Sequence, residues 1–216
     1  MDYTIVYFEG KMLEREIPSF RGAIIALSGN NPLFHNHSEE TGDMFRYPKI
    51  QYKIWDDCPA LVGVAEGADA LKAMFIPGAR HTFRIGRAVR DFTVRSIQFN
   101  SFMPEFCDAV RYRIHSWLPL NSENYDIYKQ SVSLIAKVEK LNTILVGNIL
   151  SLYKGLDTFL EQEVKACIVD LTPHEVTFKG VRMQAFDAVV ETNIPLPEGC
   201  GLGKGVSHGF GVIIKG

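Results

Sequence analysis

The chain has 216 residues, 46% of them hydrophobic and 22% charged, and a formal net charge of −2. This length allows one large domain or two small ones, and the composition is ordinary for a globular protein with a substantial core. The weakly acidic balance excludes a protein that is basic overall, so any binding of nucleic acid must rely on a local basic patch.

The sequence favours a cytoplasmic protein with no membrane partner. The N-terminus carries acidic residues and no long apolar run, and the apolar stretch at 141–152 is interrupted by Gly147 and Asn148. The cysteines are widely spaced and form no C-x-x-C pair, so neither a zinc site nor a disulfide framework is expected. They are Cys58, Cys107, Cys167 and Cys200. We expect no cofactor.

The first half of the chain alternates strand and helix patterns. The expected elements are a strand at 3–8, a helix at 17–28, strands at 45–55 and 60–65, a helix at 66–75 and a strand at 81–85. Their order, β-α-β-β-α-β, is the ferredoxin-like pattern. Residues 92–99 alternate again and are expected to carry the chain across to a second unit.

The second half repeats this order with one substitution. The expected elements are a strand at 111–117, helices at 123–138 and 141–152, strands at 165–171, 175–178 and 181–191, and a closing strand at 212–214. A glycine-rich segment stands where the second helix belongs. We therefore predict an α+β fold of two tandem ferredoxin-like (RRM-like) domains, residues 1–90 and 91–216.

The glycine-rich segment has the spacing G-x-G-x-x-x-x-x-G-x-G, from Gly201 to Gly211. A phosphate-binding P-loop requires Ser or Thr after the lysine and a helix beyond it, whereas Lys204 is followed by Gly205. A dinucleotide fingerprint requires a long βαβ unit, and only a few residues follow here. Two interpretations stay open: a loop whose free N–H groups bind anions, and a tight hairpin that needs glycine for its shape.

This segment, at the end of two ferredoxin-like units, resembles the CRISPR-associated endoribonucleases of the RAMP superfamily, the Cas6 group. The runs RGAIIALSGNNPLFHNH and RYPKIQYKIWDDCPALVGV are similar to one branch of that group. The resemblance implies cleavage of CRISPR precursor RNA within its repeats, without a metal ion, to leave a 2′,3′-cyclic phosphate and a 5′-hydroxyl. It also implies repeat RNA as partner, and leaves other CRISPR effector subunits and a homodimer open.

Two histidines are the candidate proton-transfer groups. His35 and His37 lie in one polar loop, and a histidine with a pKa near about 6.5 can take or give a proton at neutral pH. In the family resembled, a histidine after the first helix transfers a proton, helped in some members by a tyrosine, a lysine or a second histidine. Tyr47 and Lys49 are the candidate helpers, ahead of Lys53.

Two other interpretations of the histidine loop stay open. Both histidines can simply be solvated loop residues. They can also form a metal site with nearby carboxylates, which would make the protein a metal-dependent hydrolase. Those carboxylates belong to Glu39, Glu40 and Asp43.

A local basic patch supplies candidate RNA contacts. Five arginines fall within residues 80–95, where Asp91 is the single acid, although a solvated strand face would show the same pattern. The predicted RNA-binding residues are Arg80, Arg84, Arg87 and Arg90 in the patch, and Gly201, Gly203, Lys204, Gly205, His208, Gly209 and Gly211 in the glycine-rich segment. The alternative function is a non-catalytic RAMP subunit that binds RNA in an interference complex.

Overall fold

The computed structural model describes residues 2–35 and 47–216, which form two compact units. The first unit extends to Phe102 and also includes two short segments from further along the chain, 155–157 and 207–209. The second contains 103–154, 158–206 and 210–216. In the described part of the chain, no helix combines the length and apolar character needed to span a membrane.

The first unit is one antiparallel sheet with helices on it. Its elements are β1 (Asp2–Glu9), α1 (Ile17–Leu27), α2 (Pro32–His35), β2 (Ile50–Trp55), β3 (Cys58–Val64), α3 (Glu66–Met74), β4 (Arg80–Ile85) and β5 (Ala88–Ser101). The strand order is β2-β3-β1-β5-β4. Strands β1, β2, β3 and β5 form the ferredoxin-like sheet, and β4 is an added strand at its edge.

The end of the first unit differs from the sequence expectation. Residues 92–99 lie within β5 and pair with β1, from Asp2 opposite Ser101 to Glu9 opposite Thr93. The same strand pairs with β4 on its other side. These residues therefore complete the first sheet instead of leading out of it, and the first unit extends to Phe102 where the sequence placed the boundary near residue 90.

Helix α1 is held on the sheet by an aromatic core. Ile17, Phe20 and Ile24 are its buried residues, at the spacing of one helix face. The Phe20 ring meets Phe8 and Phe83 edge-on, at centroid distances of 5.6 and 5.8 Å. This packing holds α1 on the sheet, and the segment that carries His35 begins where α1 ends.

The second unit has the same topology without its second helix. Its elements are β6 (Val110–Trp117), α4 (Ser122–Gln130), α5 (Leu134–Gly155), β7 (Ala166–Phe178), β8 (Val181–Thr192) and β9 (Val212–Lys215). The strand order β7-β8-β6-β9 is ferredoxin-like. Between β8 and β9 the described chain forms only a short 3₁₀ helix, Val206–His208, inside the glycine-rich segment. The predicted α+β fold of two ferredoxin-like units is confirmed.

Two boundaries in the second unit differ from the predicted ones. The strands expected at 165–171 and 175–178 are one strand, β7, which continues through Pro173. β7 lies at the edge of the sheet, so the missing N–H of proline costs no ladder hydrogen bond on the open side. Helix α4 ends at Gln130, whereas the sequence predicted a helix at 123–138. It begins after Asn121, whose side chain accepts a hydrogen bond from the Asn124 N–H at 2.8 Å.

The glycine-rich segment lies directly against the backbone of β6 and the residue after it. The Lys204 N–H donates to the Leu118 carbonyl at 2.9 Å, and the Gly211 N–H donates to the Ser116 carbonyl at 3.1 Å. Gly203 and Gly211 have φ of +85° and +67°. A Cβ on Gly203 would lie 2.8 Å from the Leu118 carbonyl oxygen, and a Cβ on Gly211 would collide with the Leu202 carbonyl. Packing alone therefore requires glycine at both positions.

We predict that Gly211→Ala destabilises the protein more than Gly180→Ala. Both glycines have positive φ, but a Cβ on Gly180 meets nothing within 4 Å. Gly180→Ala should therefore cost only the left-handed backbone penalty of about 1–2 kcal/mol. Gly211→Ala should cost about 1–3 kcal/mol more, because of the steric overlap. Urea unfolding of both variants measures this difference, and equal losses would show that the close approach at Gly211 is unimportant.

Candidate active site

His35 is the last residue of α2, on the short connection between α1 and β2. The chain reverses after α1 through Gly29 and Asn30, both with positive φ, and the Asn31 side chain then accepts a hydrogen bond from the Leu33 N–H at 3.0 Å. The His35 imidazole is half-buried, and its Nε2 lies 3.2 Å from the Asn30 carbonyl oxygen. A carbonyl only accepts, so this contact assigns the proton of the neutral ring to Nε2 and leaves Nδ1 as an acceptor.

Arg21 lies beside His35, and the sequence reasoning missed it. Its Nη2 donates to the His35 carbonyl oxygen, and its guanidinium carbon is 5.9 Å from the centroid of the Tyr52 ring. Burial lowers the pKa of the guanidinium, but arginine stays charged at physiological pH. Its Nε is buried without a partner, and no carboxylate pairs with it in the described chain. The structure therefore holds a cation next to the candidate histidine, with no carboxylate of residues 2–35 and 47–216 paired to it.

The sequence does contain a signal for Arg21. It follows Ile17 by four residues and precedes Ile24 by three, so it lies on the apolar face of α1. A charged side chain on the buried face of a helix needs a specific partner, and this one finds the end of α2 and the Tyr52 ring.

Tyr52 fixes α2 against the sheet. It is fully buried on β2, and its hydroxyl donates to the Phe34 carbonyl at 3.1 Å. Burial raises the pKa of this phenol, while the charge of Arg21 opposes the rise. Tyr52 is therefore a neutral hydrogen-bond donor that positions the residue preceding His35.

The second predicted histidine, His37, lies outside the described residues. The carboxylates of the rival metal site, Glu39, Glu40 and Asp43, lie outside them as well. Among the residues that the structure does describe, no cluster of three or more His, Cys, Asp and Glu side chains is arranged to hold a metal ion.

Tyr47 and Lys49 precede β2, which begins at Ile50, instead of lying on it as the sequence predicted. Tyr47 is buried, and its hydroxyl accepts a hydrogen bond from the Gln51 amide at 2.9 Å. Lys49 is ion-paired with Asp157 at 2.8 Å and Glu66 at 3.0 Å. Their catalytic roles stay predictions.

The electrostatics of Lys49 favour a structural role. Burial lowers the pKa of its ammonium, but the hydrogen bonds and charges of Asp157 and Glu66 outweigh burial, and the pKa is raised overall. An ammonium with two carboxylate partners is a poor proton donor at neutral pH, and its charge is already balanced.

The predicted arginine patch divides into paired and unpaired members. Arg80 forms an ion pair with Asp91, and Arg90 with Glu16 at 2.7 Å. Arg84 and Arg87 are exposed, and neither has an ion-pair partner in the described chain. Of the four arginines predicted to bind RNA, these two are the ones without an ion pair in the described part of the chain.

The glycine-rich segment uses much of its backbone internally. The N–H groups of Leu202, Lys204, Phe210 and Gly211 donate to carbonyl oxygens of the second unit. A phosphate could reach these four N–H groups only by displacing their hydrogen bonds. They are therefore not the free N–H groups that the anion-binding interpretation expects. Of the other predicted residues, Gly201 bridges to Val212. A Cβ on Gly205 would lie 2.8 Å from the Phe210 ring.

Residues 207–209 of the same segment belong to the first unit. A Cβ on Gly209 would lie 2.5 Å from Cδ1 of Ile17 and 3.6 Å from the carbonyl oxygen of Tyr52. His208 is half-buried, with Nδ1 3.0 Å from the Ser207 hydroxyl. Tyr52 thus touches α2 through its hydroxyl and lies beside Gly209 through its carbonyl, so the structure brings the His35 region and Gly209 to one strand, β2.

Comparison with known proteins gives consistent matches over both units. Residues 1–102 match the Cas6b N-terminal domain and residues 107–216 match the Cas6b C-terminal domain. The protein MJ0978 of Methanocaldococcus jannaschii is 37% identical over 109 residues, which are 50% of this chain and 74% of that protein.

Solved structures agree with these matches. A crystal structure of Cas6b is 27% identical with a TM-score of 0.85, and that of the CRISPR RNA processing endoribonuclease Cas6b is 27% identical with a TM-score of 0.73. Both matches cover 100% of both chains. Csf5, a type IV Cas6 crRNA endonuclease, shares the fold at 12% identity, with a TM-score of 0.64 over 100% of both chains. The resemblance seen in the glycine-rich segment is confirmed, and the chain belongs to the Cas6b family.

Proposed function

We propose that this protein is an endoribonuclease that cleaves CRISPR precursor RNA within its repeats, without a metal ion, and leaves a 2′,3′-cyclic phosphate and a 5′-hydroxyl. The observation that carries the proposal is membership of the Cas6b family over both units, with a 27% identical relative that is a CRISPR RNA processing endoribonuclease. The partner is repeat RNA, the first unit carries the proton-transfer groups, and the second carries most of the glycine-rich segment.

His35 acts as the general base in this proposal. Because its Nε2 is engaged with the Asn30 carbonyl, Nδ1 is the acceptor that takes the proton of the RNA 2′-hydroxyl. The 2′-oxygen then forms a bond to the adjacent phosphorus, and the bond from phosphorus to the 5′-oxygen breaks. His37 donates a proton to that leaving oxygen. Proton, electron pair and leaving group balance without a hydrolytic water.

Arg21 supplies the positive charge that the reaction needs. The pentacoordinate phosphorane carries more negative charge than the phosphodiester, so a fixed cation beside it lowers the barrier. Lys49 is the cation that the sequence suggested, but its ammonium is already shared by two carboxylates. Arg21 has no such partner in the described chain and donates to the backbone of His35 itself.

We predict that His35→Ala and His37→Ala each slow cleavage of repeat RNA by about 100- to 10,000-fold, the range for loss of a general acid or base. The double variant should be almost inactive, and affinity for RNA should remain. Single-turnover cleavage with saturating enzyme measures the effect. Cys107→Ala, which changes an exposed side chain of the second unit, is the control. A double variant that cuts at the wild-type rate would refute the assignment.

We predict that a single 2′-deoxy substitution immediately upstream of the cut abolishes cleavage at that bond, because it removes the nucleophile. Saturating chelator should leave the rate on all-ribose RNA unchanged. Gel mapping of end-labelled repeat transcripts, with and without chelator, tests both statements. Cleavage of the deoxy substrate that depends on magnesium would instead indicate a metal-activated water.

We predict that Arg21→Met slows cleavage by about 100-fold or more at saturating RNA, in line with the loss of one preorganised electrostatic donor. Arg21→Lys should restore part of the rate because it keeps the charge. Lys49→Met should lower thermal stability but slow cleavage by less than about tenfold, since its charge is already balanced. The reverse order, with Lys49→Met the slower variant, would assign the electrostatic role to Lys49.

A further inference from the structure

A cavity of about 640 Å³ opens on the second unit. It is enclosed by the start of α4, the turn between β7 and β8, and the glycine-rich segment at Lys204. All of these lie within one unit. None of its lining residues is a candidate catalytic residue, and Lys204 is the single lining residue that the sequence predicted to bind RNA.

The rim of this cavity is cationic. Among its lining residues are Lys179, Arg182 and Lys204, against one carboxylate, Asp126. The three cationic side chains are exposed, and none has an ion-pair partner in the described chain. The ammonium groups of Lys179 and Lys204 both lie near the Phe178 ring, 5.8 and 6.0 Å from its centroid, which keeps them at the rim.

The turn that presents Lys179 is formed at a conformational cost. Lys179 and Gly180 are the two residues between β7 and β8, with φ of +50° and +78°. Two-residue turns of this kind favour asparagine, aspartate or glycine at both positions. A lysine in the left-handed region is strained, and such outliers concentrate at functional sites.

The wall of the cavity offers aromatic and apolar surface. Tyr125, a residue that is 36% exposed, lines the cavity together with the half-buried Met183. The Ser122 hydroxyl and the Asp126 carboxylate add hydrogen-bonding groups. An aromatic face, polar groups suited to a base edge and cations suited to phosphate are the combination that binds single-stranded RNA.

We propose that this cavity binds one unpaired nucleotide of the RNA strand, with its base stacked on Tyr125 and its flanking phosphates on Lys179, Arg182 and Lys204. The proposal rests on the proposed function, since it takes the repeat RNA as its ligand. It adds an anchoring site for the strand on the second unit, formed by residues that include none of the catalytic candidates.

The test combines affinity and cross-linking on the full-length protein. Tyr125→Ala should weaken binding of single-stranded repeat RNA by about tenfold, the scale of one stacked base. Lys179→Ala and Lys204→Ala should each lower the slope of log affinity against log salt by about 0.7, as one lost phosphate contact does. Repeat RNA carrying 4-thiouridine at successive positions should cross-link to the peptides around Tyr125 or Met183 from one position only.

Matched variants control for general loss of charge or aromatic surface. Phe159→Ala removes an aromatic ring of the second unit that is 88% exposed, and Lys72→Ala removes an ammonium 5.7 Å from the Phe99 ring. Both should keep wild-type affinity and salt slope. Thermal melts of all variants identify any that fail to fold.

Two results overturn the proposal, and they separate it from the proposed function. If wild-type protein cuts repeat RNA while the Tyr125, Lys179 and Lys204 variants keep its affinity and no cross-link reaches the cavity, the cavity is not an RNA site. If wild-type protein neither binds nor cuts repeat RNA, the proposed function fails as well.

Discussion

In the second unit, the glycine-rich segment takes the place of the second helix of a ferredoxin-like fold. The conformation of the segment follows from this constraint. In place of that helix, the segment itself lies against β6, within hydrogen-bonding distance of the Ser116 and Leu118 carbonyls. Only glycine leaves room for that approach. Packing is therefore sufficient to explain the glycines at positions 203 and 211.

The segment is anchored at an irregular point of β6. Ser116 has φ of +49° at a shift in the β6–β8 register. Its N–H donates to the Asp187 carboxylate at 2.8 Å, and its carbonyl accepts from Gly211. His115 contacts the same carboxylate at 2.9 Å. One carboxylate on β8 thus holds the bulge that holds the segment, which links the stability of the sheet to the conformation of the loop.

Much of the fold follows from patterns in the sequence, and the exceptions have physical reasons. Alternation and turn residues predict both ferredoxin-like units and the missing helix. They do not predict that residues 92–99 stay in the first sheet, because a strand pattern does not identify the strand with which it pairs. These residues pair with β1, which lies at the opposite end of the first unit along the chain. They also split β7 at Pro173, since a sequence does not reveal which strand lies at an edge.

The candidate site is less visible in the sequence than the fold. His35 stands out because its residue type and loop position suit proton transfer. Arg21 is less visible: its place on the apolar face of α1 is a signal, but the sequence does not show that its guanidinium reaches the end of α2 and the Tyr52 ring. Conversely, the sequence does not show that the charge of Lys49 is balanced, because its carboxylate partners, Glu66 and Asp157, are distant along the chain. Charge compensation is a tertiary property, and residue spacing carries no information on it.

The Lys179–Gly180 turn has a consequence for how this protein can vary. Asparagine or glycine at position 179 would relieve the left-handed strain and stabilise the hairpin, yet would remove a cation from the rim of the cavity. Selection for thermal stability and selection for anion binding at the cavity therefore favour different residues at position 179. We expect variants selected only for a higher melting temperature to lose this lysine early. They would gain stability and bind an anionic ligand at the cavity less tightly.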